Sequence, residues 1–211
     1  MEKGASLRRA PKRSPPLFSR RSSAALGPVV LAISGASGAI YGREIFDRLL
    51  AAGVEIQVIV TSTAEHILRE ELGLSKEYFL NKPGAALLDN GRFNVPAASG
   101  SFLTRGMVIV PCSMGCLGRI AGGISSDLVE RVADVHLKER RKLIIVPRET
   151  PLSDIHLENM LRASRAGATI MPAMPAFTHR PRGVDDLAAF IAGRVFDHLG
   201  IPQNFTPRYS G

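Results

Sequence analysis

Residues 28–38 read PVVLAISGASG, an almost unbroken apolar run from Pro28 to Ser34 that stops at a turn of small residues, Gly35-Ala36-Ser37-Gly38. A strand wetted on one face alternates apolar and polar residues. A run without that alternation marks a strand buried on both faces, the habit of parallel sheets covered by helices. From Ala39 the period changes: Ile45, Leu49 and Ala52 fall on one helical stripe, and Gly53 supplies a stop. Strand, glycine-rich turn and helix in succession predict the opening βα unit of an α/β fold.

Outward from this unit the pattern repeats. Val54–Val60 predicts a second strand, and Thr61 or Ser62 can cap the helix after it, with Glu65 placed for a capping box. Residues 73–106 are irregular and rich in Gly, Pro, Asn and Ser, which predicts a loop-bearing insertion with one short strand. Met107–Pro111 (MVIVP) predicts a third strand, broken by a turn at Cys112–Gly115. A long helix from about Asp127 to Arg141, a strand at Leu143–Val146, a helix at His156–Ala166, a strand at Ala168–Met171 and an amphipathic helix at Val184–Leu199 follow, with no internal repeat. Such alternation predicts a parallel sheet covered on both faces.

The chain has 211 residues, 45% of them hydrophobic, enough for one domain with a sizeable core. Two cysteines cannot build a disulfide framework, so a reducing compartment is expected. No apolar run approaches the ~18–20 residues of a membrane span. The net charge of +8 would suggest nucleic acid, but its placement argues otherwise. Seven of the 27 basic residues and one of the 19 acidic ones lie in residues 1–23, so that segment carries +6 and the other 188 residues only +2. Residues 1–28 therefore read as a disordered basic leader and residues 29–211 as a single domain. No base-reading motif accompanies the leader, and neither a nucleic-acid nor a membrane partner is expected. Its Arg/Ser richness is that of a transit peptide, which would make the address mitochondrial; without that role the address is the cytoplasm.

In a parallel sheet ligands bind beyond the C-terminal ends of the strands. Those ends read SGASG (34–38), TST (61–63), PCSMG (111–115), PRETP (147–151) and PAMPAF (172–177), a rim of hydroxyls, glycines and charge suited to a phosphate and a ring. The first turn lets a phosphate approach a helix N-terminus, although it fits neither the dinucleotide nor the triphosphate fingerprint; with Thr61 and Ser113 it suits a mononucleotide. Arg148, directly after an apolar strand, can grip a second phosphate with Glu149 orienting it, or the two can form a rim ion pair. Arg131, Asp134 and Lys138 share a helix face, whereas Glu70 and Glu71 read first as surface charge. The five histidines show no ligand spacing, Cys112 and Cys116 lack partners elsewhere, and no metal site is expected. No Gly-x-Ser-x-Gly elbow supports a hydrolase.

ISGASGAIYG (33–42), SGSF (99–102), MVIVPCSMG (107–115), ERVADVHLKERRKLIIVPRETPLSDIHLENM (130–160) and IMPAMPAFTHRP (170–181) together resemble the UbiX-type flavin prenyltransferases, from about Val29 to Arg208. The resemblance implies a Rossmann-like (flavodoxin-like), doubly wound, mainly parallel sheet in three αβα layers. It implies a metal-independent transferase that joins a dimethylallyl group from dimethylallyl phosphate to N5 and C6 of reduced FMN. The product, prenylated FMN, would serve a UbiD-type decarboxylase. A homo-oligomer, a dodecamer in the family, would combine residues of neighbouring subunits in each site.

Residue by residue, Gly35, Ala36 and Ser37 fall on the family's first FMN loop, Thr61 on a flavin-contacting hydroxyl, Ser113, Met114, Gly115 and Cys116 on the second FMN loop, and Arg131 on a flavin-binding arginine. Lys138, Arg148, Glu149 and Arg194 fall on the group that holds the prenyl phosphate, and Glu71 on an acid that handles protons with Ser37. The resemblance thus makes Ser37, Glu71, Lys138, Arg148 and Glu149 the catalytic set. Thr178 stands where the family usually has a tyrosine that reaches the prenyl phosphate, and Phe93 and Tyr209 stand where Trp is frequent. Two other readings are an FMN-dependent cysteine decarboxylase, whose P-x-M-N-x-x-M-W segment is missing, and an FMN-binding module without turnover.

Overall fold

A computed structural model describes residues 27–206 and 208, so the basic leader, apart from Gly27 and Pro28, lies outside the described residues, as does Tyr209. Six strands, β1 (Val29–Ile33), β2 (Ile56–Val60), β3 (Ala85–Leu88), β4 (Gly106–Cys112), β5 (Leu143–Pro147) and β6 (Thr169–Ile170), form one sheet in the order β3-β2-β1-β4-β5-β6. Every pairing is parallel. The helices are α1 (Ala39–Ala51), α2 (Ser62–Leu72), α3 (Met114–Ala121), α4 (Leu128–Lys138), α5 (Asp154–Ala166) and α6 (Val184–Leu199). Among the described residues no helix is long and apolar enough to cross a membrane.

The pleat explains why β1 reads as a continuous apolar run. Val29, Leu31 and Ile33 point into a core closed by Phe46 and Leu49 of α1, Leu68 of α2 and Val195 and Phe196 of α6. Val30 and Ala32 point into the opposite core, closed by Leu117 of α3, Val129 and Val132 of α4 and Ala163 of α5. Both cores drain apolar surface from the same strand, so neither set of positions can be polar. β4 and β5 divide in the same way, with Val108 and Val110 on one side and Met107 and Ile109 on the other.

The chain proceeds from β1 to β2 and β3 in one direction, then returns past β1 to β4, β5 and β6. Right-handed crossovers put helices on opposite faces when the direction reverses, which sorts α1 and α2 from α3, α4 and α5. Without the edge strand β3, the other five strands have the flavodoxin-like order; with it the sheet has the Rossmann order. Both orders place the switch point between β1 and β4.

Three local readings shift. The Cys112–Gly115 turn is the junction of β4 with α3, an eight-residue helix whose Gly115 and Gly118 give it weak intrinsic propensity. Thr61, not Ser62, caps α2 and its Oγ1 accepts from Ala64 N at 3.2 Å, so Glu65 lies one position past the capping-box site and pairs with Arg69 and Lys76 instead. The helix expected to reach Arg141 ends at Lys138, because Arg140 takes a left-handed φ of 54°. Arg141 then folds back and donates to the carbonyls of Phe102 (2.7 Å) and Gly100.

The lower end of α4 carries a fully buried histidine. His136 Nδ1 lies 2.8 Å from the carbonyl of Val132, which can only accept, so Nδ1 holds the proton and Nε2 accepts from Thr104 Oγ1 at 2.8 Å. Burial pushes its pKa below the ordinary 6.5, with the Val132 bond opposing and Arg141 reinforcing. The unfolded chain therefore takes up this proton first as pH falls. His136 contributes its full stability above about pH 6.5 and loses it progressively below. The urea midpoint should fall between pH 7.5 and 5.5, and fall less in His136→Gln; an equal fall in both proteins would exclude this histidine as the source.

Candidate active site

Ser34, 2% exposed, closes the gap at the switch point. Its backbone N–H donates to the carbonyl of Pro111 at 3.1 Å, its hydroxyl donates to the same carbonyl at 3.2 Å, and it accepts from the Ser113 N–H at 2.8 Å. The turn after β1 and the cap of α3 are thereby tied to each other. The next residue must be small, since a Cβ on Gly35 would stand 2.6 Å from Thr63 Cγ2 at the start of α2.

Gly38 caps α1 at φ 103°, a conformation that favours glycine and that brings no side-chain cap. The cap comes from the far end of α2. The Glu71 carboxylate accepts from Gly38 N at 2.9 and 3.1 Å and from Ala39 N at 2.8 Å. An anion is favourable there, but it is the protein's own. The two N–H groups that the sequence offers to a phosphate are thus engaged by Glu71, which at the same time lies beside Ser37 in that turn. From the end of β5, Arg148 Nε donates to the Ser37 carbonyl at 2.8 Å. Burial pushes up the phenol of nearby Tyr41, and the Arg148 charge pulls part of that back. Ser37, Glu71 and Arg148, from three separate strand–helix units, form one constellation.

Glu149 does not orient Arg148. Its carboxylate accepts from Thr150 N at 3.0 Å, while Arg148 turns to Ser37, as neighbouring residues leaving a strand point to opposite sides. Ser113 and Thr61 both serve as N-caps, Ser113 Oγ accepting from Cys116 N at 3.3 Å, so each hydroxyl keeps its own hydrogen for a ligand. A cavity of ≈ 270 Å³ between them is also lined by Gly35, Asn90, Arg119 and Asp127. A second, of ≈ 530 Å³, adjoins it at Ser62 and Asn90. Met114 and Cys116 are 7% and 3% exposed, so that loop can offer a ligand its backbone rather than these side chains. Cys112 faces Cys116, whose hydrogen bond together with burial pushes the Cys112 thiol well up, away from reactivity. Among the described residues no cluster of His, Cys, Asp or Glu could hold a metal ion.

Thr178 and Arg194 come together elsewhere, in a ≈ 680 Å³ cavity with His179, Phe190 and Asp197. Arg194 pairs with Asp197 at 3.2 Å, and Asp197 also takes Arg208 at 2.8 Å. Arg131, one turn into α4, pairs with Asp134 at 3.1 Å. Lys138, grouped by the family resemblance with Arg148 and Arg194, joins neither within this chain. It closes α4, which rises ~1.5 Å per residue away from the rim, and it pairs with Glu139 beside Gly100. The neighbouring Phe102 lines a groove with Pro28 and Glu55, at the N-terminal edge of the sheet. Within one chain Lys138 and Arg148 lie at opposite ends of β5.

Three residues escape the sequence reading: Ser34, Arg119 and Glu130. Ser34 stood inside a quoted motif but looked like the end of a strand. Arg119 lay where no helix was expected, and Glu130 looked like ordinary helix charge. Yet Glu130 is 1% exposed; its carboxylate takes Arg119 Nε, Ser126 N at 2.8 Å and Ser126 Oγ at 2.6 Å. Burial pushes its pKa up, but the Ser126 and Arg119 bonds outweigh that and hold it below the usual carboxylate range.

The family described as Flavoprotein matches residues 19–196. A flavin prenyltransferase UbiX of Methanothermobacter thermautotrophicus is 48% identical over 189 residues, covering 87% of this chain and 95% of that protein. AnUbiX (PadA1), solved in complex with FMN and dimethylallyl pyrophosphate, matches with a TM-score of 0.83 at 37% identity, over 88% of this chain and 98% of that one. A dodecameric FMN-dependent UbiX-like decarboxylase from Escherichia coli O157:H7 matches with a TM-score of 0.82 at 37% identity, over 87% and 100%. With sequence identity this high across nearly the whole described body, on a fully parallel sheet of this order, the chain belongs to the UbiX-type flavin prenyltransferase family of flavoproteins.

Proposed function

We propose that this chain transfers a dimethylallyl group from dimethylallyl phosphate to N5 and C6 of reduced FMN, and that the prenylated FMN passes to a UbiD-type decarboxylase. The observation that carries the reading is the Glu71 carboxylate seated on the turn that bears Ser37, with Arg148 bonded to the same turn. The cavity at the switch point suits FMN as a substrate: Thr61, Ser113, Arg119 and Gly35 line it. Reduced flavin supplies the nucleophilic N5 and C6. The protein must supply stabilisation for the phosphate that leaves as the N5 bond forms, a proton for the prenyl double bond as the C6 bond closes, and an acceptor for the protons that N5 and C6 lose.

Arg148 gives its Nε to Ser37 and keeps its remaining N–H donors for the phosphate, preorganised before charge develops. Glu71 is held as an acceptor by backbone N–H groups and takes the ring proton, with the Ser37 hydroxyl as the adjacent relay. Thr178 and Arg194 line a cavity of their own, where the shorter Thr178 hydroxyl replaces a phenol. Lys138 serves the site of a neighbouring copy, since its own rim is at the other end of β5. A homo-oligomer, a dodecamer as in the Escherichia coli relative, supplies that neighbour.

Anaerobic incubation with reduced FMN and either dimethylallyl phosphate or dimethylallyl pyrophosphate should add the mass of one prenyl unit to the extracted flavin; unmodified FMN with both donors overturns the reading. Glu71→Gln, whose amide oxygen can still cap α1, should bind FMN normally while prenylation slows by ~10²–10⁴-fold. Normal turnover would remove Glu71 from the mechanism. Lys138→Met and Arg148→Met should each be inactive alone, yet recover about a quarter of wild-type activity when co-assembled, because one mixed site in four receives both intact residues. No recovery in proven mixed oligomers would mean that the two act within one chain.

A further inference from the structure

We infer that Arg119 is a further flavin-binding residue that reads the terminal phosphate of the flavin, and that the buried Glu130 is the positioning residue that aims it. The inference rests on the reading of this chain as an FMN-binding enzyme and names which residue discriminates FMN from its unphosphorylated form.

Two helix N-termini meet at the switch point, and they are treated oppositely. The N–H groups of α1 are filled by the Glu71 carboxylate. On α3, Ser113 caps only Cys116 N, and the first turn has a cation beside it instead of an anion. Arg119 sits one turn along α3 and folds back: a Cβ built on Gly115 would lie 3.5 Å from its Nη1. Its side chain is 45% exposed, which for a free arginine would mean many conformers. Here Nε is bonded to a carboxylate whose side chain is 0% exposed and whose other oxygen already holds Ser126 N and Oγ. Removing the arginine would leave that carboxylate buried with a lost partner, so the ion pair is a fixed anchor rather than a surface contact. Its Nη groups have no protein partner among the described residues, and Arg119 lines the ≈ 270 Å³ cavity with Ser113 and Thr61. A planar guanidinium edge, two hydroxyls and a helix start converge there as donors, the chemistry of a phosphate monoester site.

Asp127 lines the same cavity and is the one opposing charge. Both of its oxygens are engaged, Oδ1 by Glu130 N at 2.9 Å and Oδ2 by Asn90 Nδ2 at 3.1 Å, so it caps α4. A phosphate arriving at the switch point is thus refused by Glu71 on the α1 side and received by Arg119 on the α3 side.

The test measures binding of FMN and of riboflavin to flavin-free full-length protein by fluorescence quenching, for wild type, Arg119→Gln, Arg119→Lys and Glu130→Gln. Loss of one charged hydrogen-bond partner should weaken FMN binding ~10–100-fold in Arg119→Gln while riboflavin binding changes by less than ~3-fold. Arg119→Lys should retain part of the preference, and Glu130→Gln should lose part of it. The double variant Arg119→Gln/Glu130→Gln leaves no lone buried charge and carries the test if Arg119→Gln fails to fold. An unchanged FMN-to-riboflavin ratio in a folded Arg119→Gln or double variant overturns the inference and leaves the enzyme reading intact. Failure of the wild type to bind FMN overturns both.

Discussion

The hydrogen bonds of Ser34 hold the molecule's functional end in register. At a topological switch point two parallel strands part company, because their connections leave toward opposite faces of the sheet. Ser34 bridges the gap between β1 and β4: its N–H and hydroxyl both donate to the Pro111 carbonyl, and the hydroxyl accepts from the Ser113 N–H. Among the described residues it is one of three buried polar or charged residues, the others being Glu130 and His136, and all three are fully engaged. Losing the Ser34 hydroxyl would leave the partly buried Ser113 N–H without its partner, a cost of about 1 kcal/mol, and would loosen the tie between the turn after β1 and the cap of α3.

From that tie the electrostatics of the site follow. Two helix N-termini open on one crevice, and both attract anions. The protein fills one with Glu71 and furnishes the other with Arg119. A carboxylate held by main-chain N–H groups is a stable acceptor; a guanidinium locked by a buried carboxylate is a stable donor. The division places a carboxylate and a guanidinium within a few residues of each other without altering the near-neutral charge of the body.

Lys138 and Arg148 lie at opposite ends of β5, the first before the strand and the second after it. α5 buries only Ala163 and presents Ile155, Leu157 and Leu161 at 69%, 50% and 49% exposure, so the apolar stripe that an amphipathic helix ordinarily buries has no cover among the described residues. Met174 and Phe177, in the segment that also carries Thr178, are each 68% exposed. Association of copies would cover this surface and bring the two ends to one site.

The sequence by itself determined the fold class, because unbroken apolar runs such as Val29–Ile33 and Leu143–Pro147 have no stable home except between two cores, and the spacing of helices between them leaves few topologies. It also located the strand ends, and through them the turns that carry Ser37, Thr61, Ser113 and Arg148. The family resemblance, rather than spacing, singled out Glu71 from Glu70. Only the tertiary structure decided what those residues touch. Glu71 reaches across 33 positions of chain to cap α1, Arg148 ignores its neighbour Glu149 for a carbonyl 111 positions away, and Lys138 is carried to the far end of β5 by the rise of α4. The α3 helix and its Arg119–Glu130 anchor stayed hidden because two glycines mask the helix and because the burial of a glutamate depends on what folds over it. Periodicity reports the environment of a segment; hydrogen-bond partners distant in sequence are chosen by the packing that brings segments together.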